Sequence, residues 1–300
     1  MQKISNNIAI IGTTASGKSA LAIDLAKKLH ANILSLDSLS IYKEVDIVSA
    51  KPTLLEREGI KHFGIDEIFL DEPFDVTTFI HLYQKALNLS TKENKQLIIV
   101  GGTSFYLKAL IEGMSPMPKI EDEIKAKTQD ILLDLDKAYK FLLSIDENYA
   151  LKIASNDTYR IEKALNLYFQ TQTPPTLYFK LNPPKPIIHE ALDIYEIDTP
   201  REILRERIAK RTHKMIEDGL IDEVKFLEDK YGRVPNPMKA IGIKETLSYF
   251  DGIYSKDEMI ERIIIATAQL AKRQRTFNRT QLSKKLSTSL DELKRVFFEE

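Results

Sequence analysis

The chain has 300 residues, 43% of them hydrophobic, with 43 basic and 44 acidic side chains and a formal net charge of −1; it is long enough for one large domain or a domain with a sizeable insertion. The absence of cysteine excludes disulfides, thiolate metal sites and a cysteine nucleophile. An apolar strand begins almost at the N-terminus, with no room for a signal peptide, and the longest uncharged apolar stretch near the C-terminus, Ile263–Ala271, is about half a membrane span, so a soluble, cytoplasmic protein with no membrane partner is expected.

Ile8–Ile11 reads as the first strand and runs into Gly12-Thr13-Thr14-Ala15-Ser16-Gly17-Lys18-Ser19, then into a helix carrying Leu21, Ala22, Leu25, Ala26 and Leu29. This is the Gly-x-x-x-x-Gly-Lys-Ser loop. Its glycines let the backbone curl around a polyphosphate, Lys18 adds a point charge, Ser19 can reach Mg²⁺, and the helix N-terminus adds its dipole. The loop predicts a bound diphosphate or nucleotide without saying which, or which bond is broken. Asn32–Leu36 is a second strand ending at Asp37-Ser38. An acid there lies beside the loop as a general base, a metal ligand or an N-cap. Thr77–Ser90 reads as a helix, and Gln96–Val100 as a third apolar strand that ends in Gly101-Gly102-Thr103-Ser104. An ordinary nucleotide hydrolase of this loop class carries a Mg²⁺-holding Asp at that strand end; here there are backbone N–H groups and a hydroxyl instead. A helix over Ser104–Ile111 follows.

The pattern then changes. Met114–Pro118 reads as a linker, followed by helical segments at Glu121–Leu133, Asp136–Leu143, Asn148–Ala154 and Asp157–Gln170, with Thr173–Pro175 and Asn182–Pro186 closing the region. A strand at Ala191–Ile197 precedes helices at Arg201–Glu217, Leu220–Lys230, Ile243–Phe250 and Lys256 to about Thr280. The fold class is therefore α/β: a P-loop NTPase-like parallel sheet flanked by helices, formed by residues 1–112 and 187–300, with an all-α insertion domain at 113–186. Arg262, Lys272, Arg273, Arg275, Arg279, Lys284 and Lys285 fall in a stretch without any acid, which reads either as phosphate-backbone contact or as a solvated face. The tail from Leu282 to Glu300 carries no recognisable motif.

The block Asp37-Ser38-Leu39-Ser40-Ile41-Tyr42, followed by Asp46-Ile47-Val48-Ser49-Ala50-Lys51-Pro52, resembles that of tRNA dimethylallyltransferases, usually Asp-Ser-x-Gln-Val-Tyr and Asp-Ile-Gly-Thr-Ala-Lys-Pro. Similar segments follow in order at Val100–Thr103, Tyr106–Leu110, Asn156–Leu165, Arg207–Arg211, Ala240–Glu245 and Ala271–Gln274. Thr13, Ser40, Val48-Ser49, Ala268 and Phe277 depart from the usual Pro, Gln, Gly-Thr, Arg and Trp. The resemblance implies transfer of a dimethylallyl group from dimethylallyl diphosphate to N6 of the adenosine 3′-adjacent to the anticodon of tRNA, by a monomer using Mg²⁺ on Ser19. It implies catalytic roles for Asp37, Thr103 and Arg211, and diphosphate binding by Gly12, Thr13, Thr14, Ala15, Ser16, Gly17, Lys18 and Ser19. The implied tRNA contacts are Asp37, Ser38, Leu39, Ser40, Thr103, Tyr159, Arg160, Lys163, Lys239, Gly242, Lys244, Lys272, Arg273, Gln274, Arg275, Phe277 and Arg279, with the insertion holding the anticodon stem-loop.

Three competing readings make different demands. A small-molecule kinase calls for an acid on the third strand, which is missing. A prenyltransferase acting on free adenine nucleotides has no use for the basic C-terminal block. A nucleotide-gated RNA-binding switch needs a γ-phosphate sensor, and no residue identifies one.

Overall fold

Continuous apolar runs build the sheet. The computed structural model, which describes residues 7–299, contains strands β1 (Asn7–Gly12), β2 (Ala31–Leu36), β3 (His62–Phe63), β4 (Gln96–Gly101), β5 (Asp193–Ile197) and β6 (Leu286–Thr288). They form one all-parallel sheet in the order β3-β2-β4-β1-β5-β6. The strands β1, β2 and β4 are buried almost throughout, as parallel strands covered on both faces must be. Helices α1 (Lys18–Leu29), α2 (Val76–Lys92) and α3 (Ser104–Glu112) follow β1, β3 and β4.

Register brings three strand ends level. Gly101 of β4 pairs with Ile11 on one side and Leu36 on the other, so the residues that leave β1, β2 and β4 converge at the carboxyl edge, where parallel sheets place their ligands. Gly101 is required for that approach: a Cβ there would collide with the Leu36 carbonyl.

The chain divides into two compact units, Met1–Ile111 with Ile188–Glu300, and Glu112–Ile187. The second is all helix: α4 (Asp122–Leu132), α5 (Leu135–Ile145), α6 (Glu147–Ala150), α7 (Thr158–Thr171) and α8 (Pro175–Leu181). Ala138, Leu142, Ile161, Leu165 and Phe169 form its core. The expected helix at Asn148–Ala154 is only the single turn of α6, and α8 lies between the two proline-rich segments, where no element was assigned. Pro175 begins α8, a position where a missing N–H costs nothing. Asp146 accepts hydrogen bonds from Thr176 N and Oγ1 at 2.6 and 2.8 Å, fixing that helix start.

The first unit continues with α9 (Arg201–Glu217), α10 (Leu220–Tyr231), α11 (Ile243–Phe250) and α12 (Lys256–Gln281). Ser255 and Glu258 cap α12 reciprocally. The unreadable tail proves to be structural: β6 adds the sixth strand, and α13 (Leu290–Phe298) buries Leu293 and Phe297 against the core under α1. No described helix is long and apolar enough to cross a membrane.

Candidate active site

The Gly12–Ser19 loop leaves β1 and enters α1 through two left-handed residues, Ala15 at φ 62° and Gly17 at φ 92°. Gly17 has a second constraint, since Leu290 of α13 packs where its side chain would lie. This alternation turns successive N–H groups toward one concavity, an anion nest. The N–H groups of Ala15, Gly17, Lys18 and Ser19 donate to no described residue, an arrangement that suits a phosphate.

Three side chains organise the loop. Lys18 Nζ donates to the Thr13 carbonyl at 3.2 Å, Arg211 of α9 donates to Thr14 Oγ1 at 3.2 Å, and Gln274 of α12 accepts from the Thr14 N–H at 2.9 Å. Thr13 Oγ1 and Ser16 Oγ are buried without protein partners. Burial, then the nearby Arg211, push the Lys18 ammonium down to about 8, against the pull of Asp37. Burial likewise lowers Arg211, again opposed by Asp37. Two desolvated cations side by side are unfavourable until an anion arrives, which is the electrostatic signature of a functional site.

Asp37 follows β2. Its Oδ1 accepts from the N–H groups of Leu39 and Ser40 at 2.8 and 3.2 Å, so it caps a turn; no helix follows, and the N-cap alternative is set aside. Oδ2 takes no hydrogen bond from a described residue, and Asp37 lines a cavity of about 510 Å³. The same cavity is lined by Thr14, Ala15, Lys18, Ser19, Ser38, Leu39, Ser40, Thr103, Arg211, Lys239 and Gln274, and it has the volume of a small-ligand pocket. Thr103 is anchored by its N–H to the Leu36 carbonyl at 3.0 Å. Ser40, buried, shares a hydrogen bond of 3.1 Å with Ser35.

Apolar walls face this polar centre. On one side Tyr106 stacks on Phe79 at 4.8 Å and meets Phe74 edge-on at 5.7 Å, with Tyr42 beyond; burial, chiefly, raises the Tyr106 phenol to about 12. On the other lie Ile208, Ile263 and Leu270. Ala268 joins the α9–α12 seam of Leu204, Ile208 and Ala271 against Ala15. The sequence reading assigned no role to these walls, nor to Glu223 of α10. That carboxylate accepts from the N–H groups of Asp46, Ile47 and Val48 at 2.7–2.9 Å and holds the segment whose next residues line the cavity.

The remaining expected contacts divide by helix face. Gln274, expected at a tRNA surface, instead has its amide between the loop and Gly102. Arg275 is committed to the Thr199 carbonyl and, at 3.5 Å, to Asp198. Gly242 is buried at the start of α11. All three take part in the protein's own structure, and Gln274 also lines the cavity. Lys272, Arg273 and Arg279 are exposed and Phe277 is half-buried; Lys244 is exposed beside Glu245 at 3.4 Å. In the helical unit, Tyr159 is 68% exposed, Lys163 lies over its ring at 5.5 Å, and Arg160 pairs with Asp157 at 3.0 Å.

Among the described residues no group of three or more His, Asp or Glu side chains forms a cage for a metal. Ser19, exposed at the head of α1 and lining the cavity with Asp37, suits an ion held by one or two protein groups and carried largely by phosphate oxygens, as Mg²⁺ usually is.

A parallel sheet, an anion-binding loop between its first strand and helix, and a helical insertion define a P-loop NTPase-like α/β protein. The profile described as IPP transferase matches residues 40–281. The tRNA dimethylallyltransferase of Sulfurovum sp. is 56% identical over 299 residues, covering 100% of this chain and 99% of that one. Among solved structures, a tRNA delta(2)-isopentenylpyrophosphate transferase from Staphylococcus epidermidis superposes with a TM-score of 0.67 at 30% identity, over 96% of this chain and 97% of that one. A eukaryotic dimethylallyltransferase acting on tRNA superposes with 0.83 at 27% identity, over 97% and 76%. The chain belongs to the IPP transferase family.

Proposed function

We propose that this protein transfers a dimethylallyl group from dimethylallyl diphosphate to N6 of the adenosine 3′-adjacent to the anticodon in tRNA, releasing diphosphate. The observation that carries this reading is one cavity in which Asp37 and Thr103 face a P-loop whose N–H groups, Lys18 and Arg211 are arranged for an anion. A kinase of the same loop class would want an acid after β4; Gly101 and Gly102 occupy that place.

The chemistry follows from those groups. The allylic C–O bond breaks and its electron pair leaves with the diphosphate, whose growing charge falls on the loop N–H groups, Lys18 and Arg211. The N6 lone pair forms the new C–N bond, and the amine proton passes to Asp37 Oδ2 while its Oδ1 stays fixed by two backbone N–H groups. Thr103 orients the amine or a phosphate oxygen. The walls of Tyr106, Phe74 and Ile263 suit a flat base extruded from its stack and a five-carbon chain. Ser19 would hold Mg²⁺ together with the diphosphate, where the ion would supply charge neutralisation to the leaving group.

Exposed Lys239, Lys272, Arg273 and Arg279 suit the phosphates of the anticodon stem, and Tyr159, Arg160 and Lys163 offer the helical unit's own RNA contacts. A cavity lined by residues of a single chain suits a monomer as the active form, working in the cytoplasm with its tRNA. The test is to incubate purified protein with dimethylallyl diphosphate, Mg²⁺ and unmodified tRNA, then weigh the nucleosides. N6-isopentenyladenosine supports the reading; ATP consumption without it supports the kinase.

A further inference from the structure

A second cavity, of about 410 Å³, opens on another side of the same loop. It shares Ala15, Lys18, Ser19 and Arg211 with the first, and adds Arg207, Leu290 and Lys294. Arg207 and Arg211 lie one turn apart on α9, and Leu290 and Lys294 one turn apart on α13, so each pair shares a helix face. Arg211 and Leu290 are the inner members: one binds Thr14, the other packs on Gly17. Arg207 and Lys294 are the outer members and are exposed. No acidic residue lines this cavity. Neighbouring cations have counter-ions, Arg295 with Glu292 at 3.2 Å and Arg275 with Asp198, whereas Arg207 and Lys294 have none among the described residues. In a chain of net charge −1, four cations around one hollow without an acid make a local positive field.

We propose that Arg207 and Lys294 form a second phosphoanion subsite outside the P-loop, which takes a phosphate group beyond the diphosphate held by the loop. The proposal rests on the reading of the loop as a diphosphate site. It assigns to the C-terminal helix, which lies beyond the family match, a positioning part in substrate binding. It also makes longer polyphosphates competitors of dimethylallyl diphosphate.

Calorimetric titration of the full chain with inorganic diphosphate and inorganic triphosphate tests it. The wild type is expected to bind triphosphate more tightly than diphosphate. Lys294→Ala and Arg207→Ala should each weaken triphosphate about fivefold and erase the preference, with Lys294→Arg restoring it. In turnover, Lys294→Glu should act on the KM for dimethylallyl diphosphate rather than on kcat. No preference in the wild type, or a preference untouched in both alanine variants, overturns the subsite. The parent reading fails separately, if the wild type binds neither anion or if Lys18→Ala binds both as well as the wild type does.

Discussion

Lys18 shows how one residue couples folding, titration and binding. Burial and the nearby Arg211 hold its folded pKa at about 8, below the ordinary lysine value of 10.5, so between those values the unfolded chain binds more protons. Stability therefore rises with pH through that window, and below about pH 8 the burden of the buried charge is fully present. Lys18→Met should raise stability at neutral pH by about 1–3 kcal/mol in urea melts while abolishing diphosphate binding. An arriving diphosphate favours the charged amine, so wild-type affinity should fall as pH rises above about 8, by at most about tenfold per unit. A flat profile measured by calorimetry would detach Lys18 from the anion. Ser19 and Lys18 were readable because the loop is contiguous in sequence and its chemistry is local. Gln274 was not: its partner Thr14 is 260 positions away, and nothing within α12 marks which side chain turns inward.

At the scale of elements, long periodic segments were legible and short ones were not. The helices at Arg201–Glu217 and Ile243–Phe250 fall on the predicted bounds, because apolar spacing over two or more turns fixes a face. The strands β3 and β6 are two and three residues long, too short to carry an alternation, and exist only because neighbouring strands offer free edges. The helix α13 lies in the tail without a recognisable motif, yet its Leu293 and Phe297 close the core beside α1. Phe297→Ala should therefore destabilise the protein by about 3 kcal/mol in urea unfolding, despite lying beyond the family match. A change below about 0.5 kcal/mol would show that this helix is not integral.

For the whole molecule, the even charge balance conceals a division of labour along α12. Arg275, and Lys285 just beyond the helix end, face inward, Lys285 reaching Glu196 at 3.7 Å and two carbonyls at 2.7 and 2.8 Å. Lys272, Arg273 and Arg279 face solvent. Sequence showed the basic stretch but not the split, since facing is decided by the partners that β5 and the residues just after it offer, Glu196, Asp198 and Thr199. Lys272→Ala with Arg279→Ala should weaken tRNA binding and lower the slope of log K against log salt by about 1.5. Arg275→Ala should act on stability instead. Equal slopes for wild type and the double variant would move the RNA interface elsewhere.

In the proposed reaction this P-loop grips a leaving group while the acid after β2 takes the amine proton. Asp37→Asn tests it most directly, in single-turnover transfer with dimethylallyl diphosphate and tRNA both saturating. The substitution keeps the shape and the turn at Leu39 and Ser40. The expected result is near-normal affinity for both substrates and a transfer rate reduced at least about 100-fold. Transfer at the wild-type rate would contradict the account.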